Sequence, residues 1–201
     1  VKHNVLVVSD EIHSDFTWPG HEHHVFANLD PKYAEISITC TAPSKTFNLA
    51  GLQTSNIFIP NRTLRKTFKK AIDQAGYSQL NTLGLVACQA AYEEGEPWLT
   101  ELKKYLLENL DFSRDYIERN LPGVHLIEPE GTYLIWLDFR DLRLPEEKLE
   151  HLITKEAKLW LDSGAIFGSD GEGFERINIA CPRTTLKEAF DRLAKALNSL
   201  E

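Results

Sequence analysis

Val5-Leu6-Val7-Val8 is a continuous apolar run that stops at Ser9-Asp10, the pattern of a strand buried on both faces of a parallel sheet. Glu35 to Cys40 and Thr54 to Ile59 are further strand candidates, the second closed by Pro60. A polar loop containing Gly20, His21, His23 and His24 separates the first two. From Asn61 to Ala75 the period changes. Leu64, Phe68 and Ile72 recur every fourth residue, which predicts a helix with Gly76 as its stop. Thr82 to Glu94 reads as a second helix. Gly95-Glu96-Pro97 interrupts it, and Trp98 to Asn120 follows as a long amphipathic helix.

Beyond that helix, Val124 to Ile127 and Thr132 to Phe139 read as strands around the turn Pro129-Glu130-Gly131. Glu146 to Ala157 is helical, Lys158 to Leu161 is a short strand candidate, and Arg176 to Ala180 alternates like a half-buried strand. Thr185 to Leu200 closes the chain as a helix, with Leu186, Ala189, Phe190, Leu193 and Leu197 on one face. Strands interleaved with helices predict an α/β first part and an α+β second part. The junction is placed at Gly95 to Pro97, giving domains 1–95 and 96–201. Trp98, Trp136 and Trp160 lie in apolar surroundings and are expected in the core.

A formal charge of −8 over 201 residues changes the picture by arguing against a nucleic-acid surface, which needs clustered Lys and Arg. The longest basic stretch, Arg62 to Lys70, has helical spacing and reads as a solvated face. Cys40, Cys88 and Cys181 are far apart and lack ligand spacing, so neither a disulfide framework nor zinc is indicated; a reducing cytoplasm is expected. His21, Glu22, His23 and His24 lack the spacing that closes a metal site. No apolar run approaches a membrane span, and no signal peptide is visible, so no membrane is expected. With no Met and an apolar run close behind Val1, the chain reads as a truncated one.

The stretch with the most specific chemistry is Thr41-Ala42-Pro43-Ser44-Lys45-Thr46-Phe47-Asn48-Leu49-Ala50-Gly51-Leu52, where a strand runs out into a loop. It resembles the Ser-Lys-Thr-Phe-x-x-x-Gly-Leu signature around the cofactor-bearing lysine of class I/II aminotransferases and their lyase relatives, fold-type I enzymes that use pyridoxal 5'-phosphate (PLP). The resemblance implies that Lys45 binds the cofactor covalently and then, as a free amine, moves the substrate Cα proton.

Upstream, Val7-Val8-Ser9-Asp10-Glu11-Ile12-His13 puts an acid at the carboxyl end of an apolar strand, where ligands of open α/β sheets bind. By its match, Asp10 would pair with the pyridine nitrogen, Ile12 would pack on the ring, and His13 would stand where many relatives have a tyrosine. Near the C-terminus, Glu175-Arg176-Ile177-Asn178 looks like the family's Arg-x-Asn/Ser strand, whose arginine holds the substrate α-carboxylate; Arg176 takes that role by its match. Arg183 reads instead as a helix-start or surface residue, and Gly164 to Gly168 as a loop or turn just before the arginine strand.

Two positions depart from the family pattern. Ala42 stands where a hydroxyl is frequent, and Gln53 stands where an arginine binds the cofactor phosphate, leaving Ser44 or Thr41 for that contact. The family's glycine-rich phosphate cup and ring-stacking aromatic have no counterpart here and are expected to precede Val1. The implied fold is therefore the later part of the PLP-dependent transferase large domain, a parallel-rich sheet with helices, followed by a smaller α+β C-terminal domain.

The Gly-His-x-His stretch and the Asp-Glu-Ile-His sequence look like the cystathionine β-lyase and cysteine-S-conjugate β-lyase branch. That implies cleavage of cystathionine or an S-substituted cysteine to thiol, pyruvate and ammonia, in a homodimer. Transamination of an amino acid is the alternative, because Lys45, Asp10 and Arg176 serve it equally. A non-catalytic, partner-binding module is the third reading.

Overall fold

The computed structural model describes residues 1–77 and 79–200. Its elements run β1 (Val7–Asp10), α1 (Pro31–Ala34), β2 (Ser37–Thr41), α2 (Pro43–Thr46), β3 (Asn56–Phe58), α3 (Arg62–Gln74), α4 (Thr82–Glu94) and α5 (Glu96–Asn120). Then follow β4 (His125–Ile127), β5 (Leu134–Asp138), α6 (Glu146–His151), β6 (Asp162–Ser163), β7 (Phe174–Asn178) and α7 (Arg183–Leu197). The chain divides into two compact units, Val1–Glu101 and Leu102–Glu201, and the division falls inside α5.

The first unit carries a three-stranded sheet in the order β1-β2-β3. β1 and β2 are parallel, with Asp10 opposite Cys40, whereas β3 returns antiparallel. The sheet is thus mixed. Helices α3 and α4 start where a side chain can satisfy free N–H groups: Asn61 Oδ1 accepts from Thr63 N and Leu64 N at 2.9 and 3.0 Å, and Asn81 Oδ1 accepts from Leu83 N at 3.1 Å. The basic stretch of α3 is solvated, with no residue of that helix buried.

In the second unit the sheet runs β4-β5-β7-β6, antiparallel throughout. Ile135, Leu137 and Ile177 of the sheet, Leu106, Leu110 and Ile117 of α5 and Phe190 and Leu193 of α7 are all nearly inaccessible and belong to the core of this unit. A buried polar clamp fastens this core. Asn109 Nδ2 donates to the carbonyls of Ile179 (2.7 Å) and Cys181 (3.0 Å), and its Oδ1 accepts from Arg183 Nε (2.7 Å). Arg183 is indeed the first residue of α7.

Three sequence expectations are corrected. The expected strand at Lys158 to Leu161 is not formed; pairing begins at Asp162, after the helix ends in a π turn, Leu152–Glu156. Trp160 is not a core residue: it is 95% exposed, and Trp98 is 48% exposed. The apolar neighbours Leu159 and Leu161 are half-buried while the indole of Trp160 turns out, which a linear hydropathy pattern cannot distinguish.

Candidate active site

Six of the sequence-predicted residues, Asp10, Ile12, His13, Thr41, Ser44 and Lys45, lie at or just beyond the carboxyl ends of the parallel strands β1 and β2. Parallel pairing is what brings them to one edge, because both chains leave the sheet in the same direction. The edge is locked by Glu11 N, which donates to Cys40 O at 2.8 Å.

Alternation along β1 separates the two adjacent acids. Val8 and Asp10 face the exposed side, whereas Glu11 is buried. Asp10 Oδ1 accepts a long 3.4 Å bond from Ile12 N and otherwise faces outward. The Cys40 thiol is pushed up, first by burial and then by the charge of Asp10. His13 and Ile12 are half-buried, and the His13 ring centroid lies 6.4 Å from that of the buried Phe16.

Lys45 sits on the single turn α2, which opens with Pro43 at its first position and closes with Phe47 N donating to Pro43 O at 2.9 Å. Its flanks are anchored. The buried Thr46 donates through Oγ1 to Asp15 Oδ2 at 2.6 Å, and the Phe47 ring lies 5.8 Å from that of Tyr92 and 6.0 Å from that of Trp98. A Cβ on Gly95 would come within 2.4 Å of the Phe47 ring, so the close approach of this turn to the end of α4 requires a glycine. Lys45 and Ser44 are half-buried between those anchors. Thr41 Oγ1 donates to Asn56 O at 3.4 Å, and Gln53 is exposed with φ +52°.

Arg176 belongs to the second unit. It lies on β7 opposite Trp136, on the face away from the core, and both Nε (3.2 Å) and Nη2 (2.7 Å) donate to Asp162 Oδ2. The guanidinium carbon is 4.7 Å from the Phe167 ring centroid, which stacks on Trp136 edge-on at 5.4 Å. Among the described residues, Nη1 has no partner.

Glu11, Asp15 and Phe167 were missed by the sequence reading. Glu11 accepts from Ser9 Oγ (2.9 Å), Phe26 N (3.1 Å) and His23 Nε2 (2.9 Å), so it pins the histidine loop over the end of β1. Burial alone would raise its carboxyl, but those hydrogen bonds outweigh it and hold the group below the usual carboxylate range. The period-2 alternation of β1 was a usable signal for a second, inward acid. Nothing local marks Asp15 or Phe167. Among the described residues no cluster of three His, Cys, Asp or Glu could hold a metal ion, and no helix is long and apolar enough to cross a membrane.

A half-buried lysine on the turn after β2 and an acid at the end of the parallel β1 put an amine and a carboxylate at the strand ends of an α/β fold. Comparison gives that class its family. Residues 1–193 match the model for aminotransferase class I and II, and the chain belongs to that family. Cystathionine beta-lyase PatB of Bacillus subtilis is 43% identical over 198 residues, covering 98% of this chain and 51% of that protein. A PLP-bound putative aminotransferase of Clostridium difficile superposes with a TM-score of 0.95 at 43% identity, over 98% of this chain and 51% of that one. Cystalysin of Treponema denticola, whose structure contains PLP, follows with a TM-score of 0.94 at 42% identity, over 98% and 50%. The chain thus spans about half the length of the relatives it matches.

Proposed function

We propose that this chain forms the lysine-bearing part of a PLP-dependent carbon–sulfur β-lyase acting on cystathionine or another S-substituted cysteine. The observation that carries the reading is the placement of Lys45 and Asp10 at the ends of two parallel strands with Asp10 in register with Cys40, in a chain similar to a cystathionine beta-lyase. The donor set fits the cofactor: an amine for its aldehyde, a carboxylate for its ring nitrogen, an aliphatic side chain for a ring face and the Ser44 and Thr41 hydroxyls for its phosphate. When bound, PLP supplies the electron sink that makes the substrate Cα–H acidic.

This chain's residues then divide the work. Arg176 holds the α-carboxylate: Asp162 occupies its Nε and Nη2, which leaves the Nη1 side for a second carboxylate and fixes the plane in which the substrate lies. Lys45 takes the Cα proton, and the thiolate leaves Cβ with the electron pair of the broken C–S bond. Hydrolysis of what remains gives pyruvate and ammonia. Asp10 would hold the ring nitrogen of the cofactor.

Transamination of an amino acid is the second reading, favoured by the name of the Clostridium difficile relative. It would use Lys45, Asp10 and Arg176 in the same roles, with Lys45 as the group that moves the proton. A homodimer, as the resemblance implies, in a reducing cytoplasm, which three free cysteines suit, completes the proposal.

Lys45→Ala in the full-length enzyme tests it. Covalent cofactor absorbance and pyruvate release from cystathionine should both disappear while the circular dichroism of the fold is retained; near-normal turnover would overturn the assignment.

A further inference from the structure

Glu175 lies on β7 between Leu137 of β5 and Ser163 of β6, on the same inner face as Ile177 and opposite to Arg176. It is 2% exposed. Its acidic neighbours are already engaged: Glu146 Oε1 accepts from Ser163 Oγ at 2.8 Å, Glu146 Oε2 accepts from Gly173 N at 3.0 Å, and Asp162 is paired with Arg176. Glu175 itself has no hydrogen-bond or ionic partner among the described residues. A carboxyl group buried without a partner is costly, so its surroundings call for a ligand or a proton.

The carboxyl faces a cavity of about 410 Å³, whose wall includes Glu150, Ile153, Lys155, Trp160, Ile166 and Glu175. The wall combines two carboxylates with no ionic partner, Glu150 and Glu175, with an aliphatic side and the 95% exposed indole of Trp160. Three carboxylates converging on one point would suit a metal, but no such group exists among the described residues. A compact cation with an apolar stem matches better, because its charge answers Glu175 while its carbons cover Ile153, Ile166 and Trp160.

We propose that this cavity is a binding site for a small organic cation, a primary alkylammonium, whose ammonium group pairs with Glu175. Glu146 and Glu150 from α6 and Asp162 from β6 add negative potential around it. Lys155, from the π turn, is the cationic residue of the wall, so a bound cation meets its charge. Without a ligand, burial first and then the charges of Glu146, Glu150 and Asp162 push Glu175 up to about 7, so the vacant site holds a proton that the ammonium must displace.

The probe is n-butylammonium chloride, titrated into the full chain while the indole N–H resonance of Trp160 is followed by NMR. A saturable shift is expected, with affinity rising about tenfold between pH 6 and pH 8 as the proton leaves Glu175. Glu175→Gln keeps the side-chain shape and should abolish the shift, and Lys155→Met should tighten binding. Equal binding of n-butanol, binding retained by a folded Glu175→Gln, or no saturable shift in either the wild type or Lys155→Met would overturn the proposal.

Discussion

Asp162 and the Phe167 ring fix the Arg176 guanidinium from one edge and one face, so in the proposed role little rotamer entropy would remain to be lost when a carboxylate docks on the Nη1 side. In the full-length enzyme, Arg176→Ala should weaken productive binding of carboxylate substrates by about 2–5 kcal/mol while leaving covalent cofactor absorbance in place. Arg176→Lys should not restore it, because a single ammonium cannot hold Asp162 and the substrate together in that plane. Steady-state kinetics on cystathionine and on its decarboxylated amine distinguish the role: only the first should respond.

Elements rather than single residues hold Lys45 in place. The turn α2 is too short to be stable alone, so its position depends on Thr46 bonded to Asp15 and on Phe47 packed against the end of α4. Gly95→Ala would drive a methyl group into the Phe47 ring and the Ala91 carbonyl. It should cost about 1–3 kcal/mol and lower PLP affinity in the full-length enzyme, measurable by thermal unfolding and by cofactor titration. By contrast, Asn61→Ala removes the cap of α3 and the amide's bonds to Glu35, and should cost about 1 kcal/mol without altering cofactor binding.

For the whole molecule, the strongest pH dependence should come from Glu175. Its folded-state carboxyl is raised to about 7 from an ordinary 4.5, so the unfolded chain releases this proton first. Its contribution to stability is therefore complete below about pH 4.5 and is lost as pH rises towards 7, a change of about 3 kcal/mol. Urea unfolding at pH 5 and pH 8 should show that loss, and Glu175→Gln should flatten it. The first unit meanwhile leaves Val5 and Val8 more than half exposed at the edge strand β1, so the face that carries Val8 and Asp10 stands open. The isolated 201-residue chain should accordingly bind PLP weakly and release no pyruvate; equilibrium dialysis showing micromolar affinity would contradict this.

The sequence by itself determined the order of the main elements and the family to which the chain belongs. Apolar periodicity is a local property, so α3, α4 and the strand runs at Val5 and Ser37 were legible within a residue or two. The Ser44-Lys45-Thr46 and Asp10 stretches were legible because their chemistry is contiguous in the chain. Partnerships between distant residues were not. Asp15 with Thr46, Asp162 with Arg176 and the clamp of Asn109 on Ile179 join positions 14 to 70 residues apart, and only chain folding brings them together. The outward turn of Trp160, the late start of β6 and the unpartnered burial of Glu175 were likewise decided by tertiary packing. At each, the competing helix or strand face took the interior and left the local pattern without a vote.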